Sequence, residues 1–434
     1  MIITIDTIIL TSCMRIIFTT LLFKGVIANQ MDSIHWQVNF RILWSGRFLA
    51  SAGLTGISPF IPFYMESLGA GDERSVLTWS GFALAAPAVS YALTTPLWGK
   101  VSDRWSRKWM VVRALFGLAL SMLLMGIAAT PFQFFLFRLC QGAFGGISDA
   151  SSAFIGADAP KNQQGYALGR LENASALGLL VGPFLGGMLV QVWGCRPLLL
   201  IMAAATGVCA ILASFLLTET KNVAHSASKK DGIREAFFAL YENRTIRNFI
   251  LAGILVKMAD FATFAVFTPY VKQMISTPET AAVWVGVLLA ATYLGELTGS
   301  PWWGRKNDHN RIESNFMWAA LLCAICMLVQ TVTMPLHLLF LVRFLQGFFY
   351  SALLQSVMLV VIRASDADNR GVRIGATNSL LMGGQLLGPF IGSFLGVRIG
   401  LAWVFFTMGS VLILASVVIW YHVIVRKERK EIVL

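Results

Sequence analysis

PLWGKVSDRWSRK, residues 96–108, and PWWGRKNDHNR, residues 301–311, are two copies of one pattern: Gly99 and Asp103 return as Gly304 and Asp308, 205 positions on. Other patterns keep the same register. Arg138 and Gly142 of FLFRLCQGAF (135–144) return at that offset as Arg343 and Gly347 of FLVRFLQGFF (340–349). GLLVGPFLGG (178–187), with Gly178, Gly182, Pro183 and Gly186, returns one position further on as GQLLGPFIGS (384–393), with Gly384, Gly388, Pro389 and Gly392. Three unlike patterns whose spacings agree to within one residue across half a chain mark an internal duplication of a whole structural unit.

That unit is a membrane bundle. Of the 434 residues 56% are hydrophobic and 13% charged, and the mean hydropathy is +0.69, which an ordinary soluble domain does not reach. Runs of about 20 mostly apolar residues cross a hydrocarbon core of about 30 Å as helix. They are centred near Gly53, Pro87, Leu118, Phe144, Leu180, Gly207, Asp260, Thr292, Ala324, Phe348, Leu386 and Leu412, half of them in each copy. Only helices and closed barrels satisfy their backbone in lipid, and these runs lack the alternation of barrel strands. The expected fold is an all-α membrane protein, with twelve transmembrane helices in two pseudo-twofold-related six-helix bundles over 36–218 and 248–425. Fused bundles of this kind serve transport far more often than catalysis.

A net charge of +12 would suggest nucleic acid in a soluble chain, but here the cations sort by membrane side. With residue 36 placed inside, the even-numbered loops, the connector and the tail hold 22 Lys and Arg; the opposite side holds only Arg74, Arg196, Lys272 and Arg398. This satisfies the positive-inside rule with both termini cytoplasmic, so basicity sets orientation in the lipid bilayer and no nucleic acid is expected. A multi-pass protein of the plasma membrane follows, or of the inner membrane in a Gram-negative source. The connector, 219–247, is the longest polar stretch, and Ile233 to Leu240 within it is expected to form a short amphipathic helix on the membrane surface. Residues 426–434 read as a basic cytoplasmic tail, and 1–35 as an N-terminal extension. Its first thirty residues are apolar but broken by Asp6, Arg15 and Lys24, without the basic start or cleavage site of a signal peptide. Translation is expected to begin at Met31; the alternative is a thirteenth, membrane-lying helix. Cys323 and Cys326 form a CxxC inside an apolar helix, away from any βαβ unit, which weighs against redox or metal chemistry. No metal or cofactor is expected.

Ionisable groups deep in helices point to function, because a buried charge is costly unless paired or protonated. Within the spans lie Arg47, Arg113, Arg138, Asp149, Glu172, Lys257, Asp260, Glu296 and Arg343. Asp260 sits near the middle of the seventh helix, and Lys257, three residues earlier, shares its face. Burial disfavours a carboxylate while a neighbouring cation favours it, so such a group can gain and lose a proton as a cavity opens to each side. A static ion pair is the competing reading. Asp149 and Glu296, nearer the cytoplasm, are the other carboxylate candidates, each able to pair with Arg138 or Arg343 if depth and facing permit. Arg47 and Arg113, near cytoplasmic helix ends, are expected to snorkel to the interface.

In the repeated loop, Gly99 would allow a tight exit from the second helix, and Asp103 could accept hydrogen bonds from the amides of a neighbouring helix N-terminus. The second copy is degraded beyond Asp308, with His309 and Arg311 as its only continuation, and should latch more weakly. In the fifth helix, Gly178, Gly182 and Gly186 lie one turn apart and let another helix approach closely. Pro183 removes a backbone hydrogen bond and bends the helix, giving a seam suited to rocking. Gly384, Gly388, Pro389 and Gly392 repeat that arrangement in the eleventh.

GKVSDRWSRK, RLCQG in the fourth helix and GLLVGPFLGG in the fifth resemble the signature motifs of the major facilitator superfamily. The Gly-Pro pattern, together with ISPFIPFYMESLG (57–69), resembles its drug:proton antiporter branch with twelve helices, from about residue 36 to the C-terminus. The resemblance implies that the loop bridges the halves in the outward-facing state, assigning Asp103, Arg104 and Arg107 to gating. Ser106 stands where the family usually has glycine. It further implies that the Gly-Pro seam limits leakage in exporters, that Arg138 is linked to proton transfer with Arg343 as its counterpart, and that a cavity lies between helices 1, 4, 7 and 10. The lining is expected to include Phe60, Phe63, Tyr64, Phe264, Phe267, Phe348, Phe349, Tyr350 and Gln355. Large aromatics with few fixed polar groups suit amphipathic substrates. No GxxxxGK[ST] loop supports ATP drive, and no clustered catalytic set supports an enzyme. The expectation is a monomeric, proton-coupled exporter of small amphipathic compounds or drugs, working by alternating access. The alternatives are an exporter of one metabolite, such as a sugar or siderophore, and a transport-inactive sensor.

Overall fold

The computed structural model describes residues 31–102, 106–159, 164–219, 233–275, 280–365 and 370–431, all in helices, turns or short connections. Residues 1–30, Asp103 and Arg104 lie outside the described residues. The first crossing is Met31–Ile57, continued by a 3-10 turn, Ser58–Phe60, into Ile61–Ser67. Pro59 and Pro62 sit at the starts of those two pieces, where a missing N–H costs nothing. Crossings two and three are Glu73–Ser102 and Arg107–Gly126; five and six are Gln164–Trp193 and Cys195–Leu216. The second lobe follows with Arg244–Met274, Ala281–His309, Ile312–Val329, Leu336–Arg363, Arg370–Ile399 and Leu401–Glu431.

Eleven helices among the described residues are long and apolar enough to cross a bilayer. The fourth crossing is instead two short helices, Pro131–Ala143 and Ile147–Asp158. The break falls at Phe144, the expected centre of that helix, because Gly146 takes φ +100°, a left-handed conformation open chiefly to glycine. The connector contributes the helix Ile233–Glu242, with Leu240 buried and Phe238 and Tyr241 exposed.

The duplication is visible in the packing. The first crossing lies along the fifth, the second along the fourth and the third along the sixth; the seventh, eighth and ninth pair in the same way with the eleventh, tenth and twelfth. The lobes meet where the fifth packs on the eighth and the second on the eleventh, contacts that the internal twofold exchanges. Single atoms repeat too. Trp98 Nε1 donates to Ala143 O at 2.7 Å, and Trp303 Nε1 donates to Phe348 O at 2.9 Å, each partner 205 positions from its counterpart. A Cβ on Gly142 would stand 2.2 Å from Pro87 O, and one on Gly347 would stand 1.9 Å from Thr292 O, again equivalent atoms. In both lobes helix backbones touch where glycine permits it.

Candidate functional site

The Gly-Pro seams pack within each lobe rather than between lobes. Cβ atoms on Gly178, Gly182 and Gly186 would lie 2.7, 2.6 and 2.4 Å from carbonyl oxygens of Phe48, Ala52 and Gly56 in the first helix. On Gly384, Gly388 and Gly392 they would lie 2.3, 2.7 and 2.1 Å from those of Ile254, Met258 and Ala262 in the seventh. The lobe contact itself uses neighbours that motif reading passed over. Gly286 faces Pro183 O at 2.4 Å from its would-be Cβ, and Gly187 faces Ala282 O at 2.6 Å. In the symmetric contact Gly81 faces Ser393 Oγ at 2.6 Å and Pro389 O at 3.1 Å. The signal was present: Gly81 and Gly286 are themselves a pair at the 205-residue offset.

All these lobe contacts lie at the charge-poor end of the molecule. The same end carries the Thr268 hydroxyl donating to Pro59 O, the pair Lys272–Glu66 at 2.8 Å and the contact of the Phe82 and Phe390 rings. Towards the basic end, polar residues inside the spans are exposed: Asp149, Glu172, Asn173, Asn378 and Ser379. Polar groups within membrane spans face water rather than lipid. They line a cleft between the lobes that opens to the basic end and is shut at the other.

Four charged side chains gather among the helices of the second lobe. Asp260 and Lys257 come from the seventh helix, Glu296 from the eighth and Arg343 from the tenth, and both cations act through their charge on both carboxyls. Asp260 accepts a hydrogen bond from the Tyr350 hydroxyl at 3.2 Å. Lys257 forms no ion pair within 4.0 Å among the described residues; its ammonium lies 5.5 Å from the Phe261 ring centroid. The Lys257–Asp260 neighbourhood is therefore looser than a closed salt bridge. Arg343 is buried, its guanidinium 3.9 Å from the Phe267 ring, with Nη1 donating to Gln346 Oε1 at 3.0 Å and Nε without an acceptor among the described residues.

The first lobe places its charges differently. Arg138 is buried, with Nε donating to Ala83 O at 3.0 Å and Nη1 to Gln141 Oε1 at 2.6 Å, so it ties the fourth crossing to the second and does not meet Asp149. Asp149, just past the break, accepts from the Tyr91 hydroxyl. Arg113 does not snorkel: its guanidinium stacks 3.7 Å over the Trp98 ring and donates to Gly145 O at 3.1 Å. Nor does Arg47, which is only 4% exposed. It donates to Ser175 Oγ at 2.7 Å, to Ser152 Oγ at 2.9 Å and to Glu172. A paired guanidinium can stay at depth where an unpaired one must reach water.

The gating candidates are partly described. Gly99 and Gly304 lie inside their helices, Glu73–Ser102 and Ala281–His309, rather than at an exit. The room at Gly304 is used by Gln355, whose Nε2 stands 2.9 Å from the would-be Cβ. Ser106, at φ −66°, needs none of glycine's freedom and caps the third helix by accepting from Trp109 N. The amides of Arg107 and Lys108 donate to Glu219, which thereby holds the third helix start against the sixth helix end. Asp308 pairs with Arg363 at 3.6 Å inside the second lobe.

Of the aromatic candidates, Tyr350 meets Asp260, and Phe63, Phe264, Phe348 and Phe349 are half-buried. Phe60, Tyr64 and Phe267 are enclosed. Tyr64 turns into the first lobe, donating to Met125 O at 2.8 Å with its ring edge against Phe134. All three are fully buried, so their area is spent on packing.

A duplicated pair of membrane bundles with charged side chains held among its helices defines a transporter. The chain belongs to the Major Facilitator Superfamily, whose profile matches residues 43–329 and 250–433. It is not an enzyme, and it is a multi-pass membrane protein. It is 38% identical to a staphyloferrin B transporter of Staphylococcus aureus, over 88% of this chain and 92% of that one. To the multidrug resistance protein MdtG of Proteus mirabilis it is 28% identical, over 89% and 96%. Its fold matches a bacterial homolog of the human lysosomal transporter Spinster in an inward-facing, occupied conformation, with a TM-score of 0.73, 14% identity and coverage of 91% and 97%. The nucleoside transporter NupG matches with a TM-score of 0.71, 14% identity and coverage of 88% and 99%.

Proposed function

We propose that the chain exports a small charged metabolite of the siderophore kind in exchange for protons, with both termini in the cytoplasm and the cleft opening alternately to each face. One observation carries this reading: Asp260, Glu296, Lys257 and Arg343 stand together, so the cleft wall offers both signs of charge. A metabolite bearing its own carboxylates and amines answers both, whereas an uncharged drug answers neither. The identity of 38% to the staphyloferrin B transporter, against 28% to MdtG, supports the same ranking.

Exchange requires that substrate and proton compete. Asp260 is the group for this, because the Tyr350 hydroxyl can serve either form, donating to the carboxylate or accepting from the acid. A cationic group of the substrate stabilises the carboxylate, and a proton arriving from the other face neutralises it and releases the cation. Lys257, without an ion pair among the described residues, is placed to meet a substrate carboxylate meanwhile.

The test is a deletion strain grown under iron limitation. Siderophore in the medium should fall and intracellular siderophore rise, restored by the intact chain and not by Asp260→Asn. A protonophore should abolish secretion by the intact chain; unimpaired secretion would remove proton coupling. Export of amphipathic drugs is the second reading, favoured by the half-buried ring group Phe261, Phe264, Phe348 and Phe349. Unchanged siderophore with raised dye accumulation in the deletion strain would transfer the assignment to it.

A further inference from the structure

The segments NRTIRN (243–248) and VVIWYH (417–422) carry two arginines and two aromatics that line one groove. The seventh helix begins in the first, and the apolar span of the twelfth ends in the second. Between them lies a groove of about 350 Å³ lined by Arg244, Arg247, Asn248, Val417, Val418, Trp420 and Tyr421. Trp420 and Tyr421 are 51% and 61% exposed, on the outer surface of the bundle rather than in the cleft. No carboxylate of a described residue lies within 4.0 Å of either guanidinium. Arg247 leans on Tyr241 of the connector helix, 5.1 Å from its ring and donating to its carbonyl at 3.3 Å, while Arg244 is exposed.

We propose that this groove is a binding site for one anionic phospholipid of the leaflet at the basic end, its phosphate held by Arg244 and Arg247. Cations at headgroup depth attract anionic lipid, and Trp and Tyr settle at that same depth. Arginine forks match phosphate oxygens, and Asn248 adds a side-chain amide donor. The apolar floor decides between a lipid and a free anion. Inorganic phosphate would satisfy the arginines but leave Val417, Val418 and the Trp420 ring uncovered, whereas the glycerol and upper acyl carbons of a lipid cover them. Because Arg247 also touches the connector helix, the bound lipid would join the connector to the second lobe.

The purified full chain in detergent can be offered phosphatidylglycerol and phosphatidylcholine of identical acyl chains, and the retained lipid read by native mass spectrometry. Retention should favour phosphatidylglycerol, and Arg244→Gln and Arg247→Gln should each lower that preference about fivefold. Arg244 has an exposed side chain, so its substitution leaves folding intact even if that of Arg247 does not. Arg305→Gln, on the same basic side but outside the groove, should leave the preference unchanged. Equal retention of the two lipids, an undiminished preference in Arg244→Gln, an equal loss in Arg305→Gln, or displacement of the lipid by inorganic phosphate alone would each overturn the proposal.

Discussion

At the scale of single residues, the second lobe departs from the symmetry that built it. Lys257 and Asp260 of the seventh helix correspond, at the 206-residue offset, to Ser51 and Leu54 of the first, and Glu296 corresponds to Tyr91 at 205. Packing positions were kept in both copies, whereas of the four charges gathered in the second lobe only Arg343 has a charged counterpart, Arg138. Such a pattern is expected where backbone contact is needed twice and chemistry once. Asp260→Asn keeps the side-chain shape and a hydrogen bond to Tyr350 but cannot ionise; proton-driven uptake of labelled substrate into inverted vesicles should fall to background while the melting temperature in detergent holds. A packing glycine should behave in the opposite manner. Gly347→Ala drives a methyl to 1.9 Å from Thr292 O and should cost about 1–3 kcal/mol, seen as a lowered melting temperature. Gly375→Ala, with no described residue within 4 Å of its would-be Cβ, should not lower it.

At the scale of elements, the fourth crossing shows best where reading along the chain stops. Its apolar run is continuous in hydropathy, so the sequence predicts one helix centred on Phe144. The structure breaks it there because Gly146 allows a left-handed step, which also turns Asp149 toward Tyr91. Gly146→Ala should cost about 1–2 kcal/mol by forcing an L-residue to φ +100°. Transport should fall more than the melting temperature suggests, since Asp149 is re-aimed. Arg47 and Arg113 teach the same lesson in side-chain terms. Position along a helix gave their depth, but their partners, Glu172 with Ser152 and Ser175, and Trp98 with Gly145 O, come from other helices.

For the whole molecule, the state described is shut at the charge-poor end by contacts that must part for the cleft to open there. The Lys272–Glu66 pair is half-exposed, so it contributes no more than about 0.5 kcal/mol, yet all of that sits in one of two states. Glu66→Gln should raise the population open at that end about twofold, measured as the long-distance fraction between spin labels on Asp72→Cys and Ile275→Cys. Gly286→Leu is the stronger probe. Its side chain meets Pro183 O across the lobe interface and should hold that end apart, so the short-distance fraction should nearly vanish. An unchanged distance distribution in Gly286→Leu would mean that this contact does not govern closure.

The sequence by itself determined the class, the duplication and the lobe architecture, because hydropathy and repeat spacing are properties of the chain and lipid permits few folds. It also marked the glycines of the two Gly-Pro seams and, at Gly142 and Gly347, those of the repeated Arg-Gly pattern. Only the tertiary structure decided what each residue touches: that Gly178 and Gly384 serve contacts inside a lobe while the unmarked Gly187 and Gly286 serve the contact between lobes, and that Tyr64 is packing while Tyr350 meets Asp260. The reason is geometric. A helix fixes which residues share a face, but its rotation about its own axis, and hence the neighbour that face meets, is set jointly by all the helices packed around it.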